Sequence, residues 1–349
     1  MVPPNPTPLS AWHELAATHS SLSQQPNPAG TWLCALTQQR LLEATGPDAG
    51  TFLQGQLTCD LRDVTDGQVR LAALCTPQGR AIATLTAVAL EDGFGLSMHT
   101  SLLETVQRTL AKYAVFSKVS LAADDPDSPK WARMGIWGNT AAKTLESAGI
   151  TPPQAAYQRR NLETGWVVRL FGPSPRFELW CRLSAASDWI ERLSEHATPA
   201  SSVEWTLAAV QAGVPELSLP VSEQFVPQML NLDALNGISY RKGCYTGQEV
   251  IARSHYRGQQ KRHCYRLRLL TDQGAAPLPS AGDRVHDSSD RAVGTLVNAA
   301  PSPTGAELLA VVLDQVATPE QRLAVRCASG ASLAVEILPL SYALGSSPG

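Results

Sequence analysis

The chain has 349 residues, of which 44% are hydrophobic and 17% are charged, and its formal net charge is −3 at pH 7. This composition is typical of a globular protein and excludes a disordered chain. The length exceeds what one ordinary hydrophobic core needs and predicts two or three domains. The negative net charge argues against a surface built throughout for nucleic acid.

The cysteine pattern and the N-terminus indicate the compartment. The cysteines are odd in number and no pair has CxxC spacing, which argues against a disulfide framework or a structural zinc site and favours a reducing environment. The first 30 residues lack the basic and apolar segments of a secretory signal, and no apolar run reaches membrane-spanning length. We therefore expect a cytoplasmic protein. The seven cysteines lie at positions 34, 59, 75, 181, 244, 264 and 327.

The first half of the chain predicts a tail followed by an α+β unit. Residues 1–28 are rich in Pro, Ser and Asn and predict a mobile tail, in which 12–17 can form one or two helical turns. Apolar runs at 32–36 and 40–44 predict a β-hairpin. The following runs give the order ββαβββαβ for a first subdomain at 29–125. Tight turns between its strands predict a mainly antiparallel sheet.

The second half predicts another α+β unit and a barrel. A linker that reads Asp-Asp-Pro-Asp-Ser-Pro-Lys precedes a β-α-β-β-β-α pattern at 131–200, which predicts a ferredoxin-like subdomain whose sheet continues the first. Residues 201–260 contain a helix and a cysteine motif. In 261–345, five alternating apolar runs without an intervening helix predict a small β-barrel. The fold class is therefore α+β.

The cysteine motif combines a thiol, cations and a helix-start signal. The segment Thr-Gly-Gln-Glu at 246–249 fits a capping box and predicts a helix over 250–257. Cys244 would then lie just before the positive end of that helix and beside Lys242, and both features favour the thiolate. The alternative is a small buried thiol in a tight turn. A nucleophilic pair with His255 is disfavoured, because the two residues would lie about 12 Å apart along the helix axis.

A strongly basic run surrounds this motif. Between positions 241 and 268 there are eight Lys or Arg residues and one acid, Glu249, so the run carries a net charge of +7. Such a patch in an acidic protein indicates an anionic ligand at one face. The alternative is a solvated helix face.

The run Lys242, Gly243, Cys244, Tyr245, Thr246, Gly247, Gln248, Glu249 resembles the signature of the YgfZ-type folate-binding proteins. These are relatives of the glycine-cleavage T-protein, an aminomethyltransferase, and are linked to tRNA modification and iron–sulfur enzyme maintenance. The Gln-Gly-Gln-x-Thr run at 54–58 and the Lys-Tyr-Ala-Val-Phe-Ser-Lys-Val run at 112–119 also resemble this family, and the longest block covers 205–262. The resemblance implies a T-protein-like fold, with antiparallel sheets and flanking helices in a two-part folate-binding region and a small C-terminal β-barrel.

The resemblance also implies tetrahydrofolate or another folate as the bound ligand. Trp205 precedes an Ala-Gly-x-Pro element, where relatives have a tryptophan linked to folate binding; the alternative is a core tryptophan. A second such tryptophan is missing, because that strand reads Gln-Arg-Leu at 39–41. The polar edge of the pterin is assigned to Gln54, Gln56 and Thr58, and the anionic tail to Arg253 with Arg257 or Lys242. The alternative role of the two glutamines is to cap a helix.

Three functions compete. In the first, a folate-binding accessory protein uses the Cys244 thiol and Lys242 to support iron–sulfur enzymes, such as tRNA-modifying radical enzymes, with direct tRNA contact left open. The second is a tetrahydrofolate-dependent aminomethyl or methyl transferase. It is disfavoured because 97–101 read Ser-Met-His-Thr-Ser, without the carboxylate that relatives place there, which suggests a non-catalytic relative. The third is a direct RNA-binding module, for which only Tyr240, Tyr245 and Tyr256 supply candidate exposed aromatic rings.

Overall fold

The computed structural model describes residues 8–17, 30–125, 129–257, 260–270, 278–318 and 320–344. Their strands form two open sheets and a closed barrel. The helices are α1 Pro8–Ala17, α2 Ala49–Gln54, α3 Leu103–Tyr113, α4 Ala141–Ser147, α5 Ala186–Ser194, α6 Ser202–Ala212 and α7 Gln248–Arg257. The strands are β1 Trp32–Ala35, β2 Gln39–Thr45, β3 Arg70–Cys75, β4 Ala81–Leu90, β5 Gly93–His99, β6 Ser120–Ala123, β7 Trp131–Trp137, β8 Arg159–Leu162, β9 Gly165–Arg169, β10 Arg176–Arg182, β11 Thr198–Pro199, β12 Arg262–Leu269, β13 Arg284–His286, β14 Ala292–Ser302, β15 Gly305–Leu313, β16 Leu323–Arg326 and β17 Ser332–Leu338.

The first sheet has the strand order β3-β4-β5-β2-β6, and every pairing in it is antiparallel. Helix α3 packs on β2 and β6 and buries Val106 and Leu110. These two residues are four apart, so they lie on one face of the helix. The predicted antiparallel sheet and its packed helix are confirmed.

The second sheet has the strand order β11-β1-β7-β10-β9-β8. All its pairings are antiparallel except that of β1 with β11. Its central strand β7 is buried along its whole length, because sheet neighbours and packed elements cover both of its faces. Helices α1 and α5 contact each other beside this sheet and bury Trp12 and Leu193 in its core.

Six C-terminal strands close into the predicted barrel, in the order β12-β15-β14-β13-β16-β17. Its interior is filled by branched apolar residues such as Leu267, Val285, Leu308 and Val325. The five apolar runs of the sequence each form a strand, and β13 is the sixth. At three residues, β13 is too short to show an alternating pattern.

The predicted hairpin of the first two apolar runs is wrong. Strand β1 pairs with β7 and β11 in the second sheet, whereas β2 pairs with β5 and β6 in the first. The expectation that one sheet continues into the other is therefore also wrong. The physical reason is burial: Leu33 and Cys34 are almost completely inaccessible, so β1 needs hydrogen-bonded neighbours on both edges.

The predicted mobile tail contains an ordered helix. Helix α1 packs against α5, and Trp12 and Leu15 are buried there, so the tail prediction is wrong for this segment. The remaining tail residues, 1–7 and 18–28, lie outside the described residues. The other predicted subdomain boundaries stay predictions, with β1 joined to the second sheet by its hydrogen bonds.

The observed class is α+β, as predicted, with antiparallel sheets, flanking helices and a barrel. Helix α6 contacts β14 and β15 of the barrel as well as β1 and β7 of the second sheet. It thereby joins the barrel to the α+β part. No helix in the described ranges is long and apolar enough to span a membrane.

Candidate functional site

The cysteine motif forms a loop that is docked against the segment after α2. The backbone N–H of Thr246 donates to the carbonyl of Gly55 at 3.0 Å, and its hydroxyl donates to Gln56 Oε1 at 3.2 Å. The Lys242 ammonium donates to the carbonyls of Leu57 and Cys59 at 2.8 and 2.7 Å. The loop is therefore hydrogen-bonded directly to the Gln-Gly-Gln-x-Thr run.

Lys242 is buried rather than directed to the thiol. It is 6% exposed and its ammonium lies 5.0 Å from the centre of the Tyr245 ring. Burial lowers the pKa of Lys242 to about 8. The buried ammonium of Lys242 anchors the loop through its hydrogen bonds to Leu57 and Cys59. Cys244 itself is exposed to solvent.

The predicted capping box of this loop does not form. Helix α7 begins at Gln248, and Gly247 precedes it in a left-handed conformation with φ of 83°. The Thr246 hydroxyl is directed to Gln56, and the Glu249 carboxylate accepts from Arg253 at 2.6 Å. The glycine conformation turns the chain before the first helical residue, so neither side chain reaches the backbone donor that a capping box requires.

The polar residues assigned to the pterin edge have partners within the protein. Gln54 donates to Asp60 Oδ1 at 2.9 Å and accepts from the amide of Leu61 at 2.7 Å. The hydroxyl of Thr58, which is fully buried, donates to the carbonyl of Gly237 at 2.6 Å and accepts from the amide of Ala73 at 2.8 Å. The polar groups of both side chains are therefore used within the protein.

The cations assigned to the folate tail are placed apart from one another. Arg253 is exposed on α7 and pairs with Glu249 one turn earlier, and the side chain of Arg257 lies outside the described residues. Farther along the basic run, Arg266 and Arg268 pair with Glu307 and Glu336 of the barrel. The run of eight cations is therefore not one free patch in the described part of the chain.

Trp205 lies in a different place, at a cavity between the two sheets and α6. A capping box of Ser201 and Glu204 begins this helix. The ring of Trp205, 4% exposed, packs edge-on against Trp137 at 5.6 Å and lies 4.7 Å from the guanidinium carbon of Arg176. It is thus both a core residue and a wall of the cavity.

The cavity has a volume of about 100 Å³ and is polar on several sides. None of the other residues predicted to bind folate lines it. The structure therefore joins Gln56 to the cysteine loop, places Thr58 against Gly237 and Ala73, and separates both from Trp205. The charged and hydrogen-bonding residues that line it, apart from Trp205, include Gln38, Gln39, Thr84, Ser97, Arg133, Tyr157, Arg176, Glu178 and Glu216.

Two buried groups at this cavity have no hydrogen-bond partner in the described part of the chain. They are the hydroxyl of Tyr157 and Nε of Arg176. Tyr157 also adopts a left-handed backbone conformation with φ of 63°, which costs of order 1–3 kcal/mol for a non-glycine residue and is typical of ligand sites. Burial lowers the pKa of Arg176 to about 10. An unpartnered buried donor is costly, and a bound acceptor would remove that cost.

Glu216 supplies a carboxylate to the same cavity. Its Oε1 accepts from Gln39 Nε2 at 2.7 Å, and its backbone exchanges two hydrogen bonds with the Asn298 side chain of the barrel at 2.8 and 2.9 Å. Burial raises the pKa of Glu216 to about 7. The carboxylate therefore changes its charge near neutral pH.

The sequence interpretation missed Glu216, Tyr157 and Arg176 as site residues. Glu216 directly follows the Ala-Gly-x-Pro element that identified Trp205, so this neighbour was an available signal. Tyr157 and Arg176 carried none, because a positive φ and an orphaned donor exist only in the folded chain. Gln39, at the strand where relatives have a second tryptophan, holds the Glu216 carboxylate.

Comparisons with known proteins define the class of protein to which this fold belongs. Residues 31–160 match the GCVT N-terminal domain family. The fold resembles the glycine cleavage system aminomethyltransferase T from Bartonella henselae, with a TM-score of 0.66 at 18% identity, covering 95% of this chain and 89% of that one. Two mainly antiparallel sheets followed by a barrel thus define an aminomethyltransferase-like fold.

Sequence relatives give the family within that class. The chain is 34% identical to the tRNA-modifying protein YgfZ of Klebsiella pneumoniae (strain 342) over 88% of its length and 93% of the relative. It is 32% identical to the tRNA-modifying protein YgfZ of Yersinia pseudotuberculosis serotype O:1b (strain IP 31758), over 94% of this chain and 99% of the relative. At this identity and coverage the chain belongs to the YgfZ family, which confirms the resemblance found in the sequence.

Proposed function

We propose that this protein binds tetrahydrofolate or another folate in the Trp205 cavity. In this proposal it is an accessory protein in tRNA modification and in the maintenance of iron–sulfur enzymes. The observation that carries the folate part is the cavity, where an aromatic wall meets the orphaned donors of Tyr157 and Arg176 and the carboxylate of Glu216. The printed name of the relatives, tRNA-modifying protein, supports the tRNA part.

The residues at the cavity fit the ring of a folate. A pterin is flat, and its edge offers both N–H donors and a carbonyl acceptor. Trp205 supplies a packing surface, Glu216 accepts from N–H groups, and Tyr157 and Arg176 donate to a carbonyl. At about 100 Å³ the cavity is smaller than the ~300–1,000 Å³ of whole-ligand pockets, so the aryl and glutamate parts would extend beyond it.

The thiol of Cys244 is proposed to act by redox or partner exchange. It is exposed on a loop that Lys242 and Thr246 fix to the first α+β unit. A fixed and accessible thiol is suited to reaction with a partner, because the geometry of approach is already set. Iron–sulfur enzymes such as tRNA-modifying radical enzymes are the proposed partners.

Glu216 also supports a second candidate, a tetrahydrofolate-dependent aminomethyl or methyl transferase. The acid that follows 97–101 in the sequence, Glu104, lies exposed on α3 and pairs with Arg108. Glu178 is committed to Arg133 at 2.5 Å. Glu216 is the carboxylate at the cavity whose pKa, about 7, suits proton transfer. Turnover of an aminomethyl donor by the purified protein would favour this candidate over the accessory role.

The folate proposal is tested by titrating the purified protein with tetrahydrofolate and following tryptophan fluorescence. We expect a saturable change in the wild type and a reduced one in Trp205→Phe. Trp189→Phe is the matched control, because Trp189 lies on α5 outside the cavity and bonds to Thr164. The absence of any saturable change in the wild type would contradict folate binding.

The thiol is tested by complementation. Cys244→Ala should abolish rescue of iron–sulfur enzyme activity in a deletion strain while leaving the free energy of unfolding unchanged, because Cys244 is exposed. Cys327→Ala, in the barrel, is the control and should rescue fully. Full rescue by Cys244→Ala would remove the thiol from the proposal.

A further inference from the structure

A second and larger cleft, about 620 Å³ in volume, lies beside the cysteine loop. It shares no lining residue with the Trp205 cavity. Its walls come from the end of the segment that follows α2, from the residues before Lys242 and from α7. The cleft is thus a separate site, built by parts of the chain far apart in sequence.

Three aromatic rings cluster at this cleft. Tyr240 and His255 stack with ring centres 3.8 Å apart and planes at 15°. Tyr256 meets both rings edge-on, at 6.2 Å from Tyr240 and 4.7 Å from His255, and is 68% exposed. Gln228 Nε2 donates to the Tyr240 hydroxyl at 3.4 Å. An aromatic cluster fixed at its base but open at one ring is a stacking platform rather than a core.

Three aspartates and two arginines line the cleft. Asp60 is held by Arg62 at 2.6 Å and Asp63 by Arg70 at 3.7 Å. The third acid, Asp233, accepts from the neutral backbone amide of Ala234 at 3.0 Å and forms no ion pair among the described residues. Arg241 lines the cleft and is exposed, and no carboxylate of the described chain lies within 4.0 Å of it.

We propose that this cleft binds an unpaired nucleotide of an RNA. The base stacks on the cluster of Tyr240, His255 and Tyr256, and a backbone phosphate contacts Arg241. Asn236 and Ser239 also line the cleft and offer hydrogen bonds to the edge of a base. Single-stranded nucleic acids are recognised by this combination of aromatic stacking and a nearby cation.

Direct RNA contact goes beyond the accessory role, which does not require the chain itself to touch RNA. The folded structure also favours the RNA-binding alternative more than the sequence did. The sequence showed only scattered tyrosines, but folding brings Tyr240 and Tyr256 together with a histidine and Arg241. Cys244 follows Arg241 by three positions in the chain but does not line the cleft.

Fluorescence anisotropy with the full-length protein tests the proposal. The probe is a labelled single-stranded RNA of about 12 nucleotides, within the ~4–16 that single-strand sites cover. Tyr256→Ala should raise its Kd about fivefold or more, the factor that corresponds to ~1 kcal/mol of base stacking. Tyr256→Phe should keep wild-type affinity, because stacking does not use the hydroxyl. Tyr113→Ala, at an exposed tyrosine on α3, is the control.

Salt dependence tests the phosphate contact. Arg241→Ala should reduce the slope of log Kd against log salt concentration by about 0.7, the value for one phosphate contact on a single strand. The control is Arg108→Ala, an exposed arginine paired with Glu104 on α3, which should leave the slope unchanged.

Three outcomes would overturn the proposal: no binding of single-stranded RNA, equal affinity of Tyr256→Ala and the wild type, or a duplex of the same sequence bound as tightly. Trp205→Phe should bind RNA like the wild type. Failure of RNA binding therefore leaves the folate proposal intact, and failure of folate binding leaves this one intact.

Discussion

Lys242 shows at the scale of a single residue how burial redirects a cation. Its ammonium contacts two backbone carbonyls and an aromatic face. It therefore stabilises the loop and does not pair with the Cys244 thiol. Because burial lowers the pKa of Lys242 to about 8, the unfolded chain binds a proton more tightly than the folded one does.

The free energy of unfolding should therefore depend on pH through Lys242. Between the folded pKa of about 8 and the ordinary lysine pKa of 10.5 the unfolded state holds more protons, so stability rises with pH. Relative to Lys242→Met, the wild type should gain about 2 kcal/mol from about pH 7 to about pH 9.5. Urea unfolding at both pH values measures this, and a constant difference between the two proteins would contradict it.

Glu216 is the second residue whose ionisation has a measurable consequence, in this case for folate binding. Its pKa of about 7 lies above the ordinary value because of burial, and Gln39, Arg133, Arg176 and Glu178 are the polar and charged groups around it. If the carboxylate accepts from the folate ring, protonation removes that acceptor. The Kd for tetrahydrofolate should rise about tenfold from about pH 8 to about pH 6.

Glu216→Gln supplies the matched variant. The amide has the same shape and no charge, so the Kd should rise roughly 10- to 100-fold at neutral pH, from ~1.5–3 kcal/mol for a charged hydrogen bond, and its pH dependence should disappear. Fluorescence titration measures both effects. A wild-type Kd that is flat with pH would remove Glu216 from the site.

At the scale of elements, two glycines of the cysteine loop differ in their physical demands. Gly247 has φ of 83°, and a Cβ there would lie 2.6 Å from the carbonyl oxygen of Thr76. Gly243 has free space, with nothing within 4 Å. The motif therefore needs a glycine at position 247 for its backbone conformation. Space and backbone conformation do not require the glycine at position 243.

Substitution by alanine should separate the two positions. Gly247→Ala should lower the free energy of unfolding by at least about 1–2 kcal/mol, the cost of a left-handed alanine, with the backbone clash added. Gly243→Ala should change it by less than about 0.5 kcal/mol. Urea denaturation tests both. Loss of rescue by a stable Gly243→Ala variant would indicate that partners approach the backbone beside Cys244.

At the scale of the whole molecule, the arginine of a buried ion pair joins the two sheets beside the Trp205 cavity. Arg133 on β7 pairs with Glu178 on β10 at 2.5 Å and donates to the Ser97 hydroxyl on β5 of the other sheet at 2.7 Å. Both charged side chains are almost fully buried. Each charge is tolerated there because the other is present.

Breaking this pair on one side should be costly. Arg133→Met leaves Glu178 uncompensated and should lower the free energy of unfolding by about 3–5 kcal/mol. The double variant Arg133→Met/Glu178→Gln should recover a large part of that loss, because neither charge of the pair remains and Gln can still accept from Trp180. Chemical denaturation of both variants measures the coupling. Additive losses would contradict it.

The sequence by itself determined the local elements, the barrel and the family. Hydrophobic periodicity reports which face of a segment is buried, and the cysteine motif is contiguous, so both are readable along the chain. Only the tertiary structure decided which strands pair, because the partner of β1 lies about 100 positions away in β7. It also decided which polar groups lack partners, as at Tyr157 and Arg176, and which aromatic rings meet, as at Tyr240 and His255. Those facts depend on contacts between distant segments, and no local pattern encodes them.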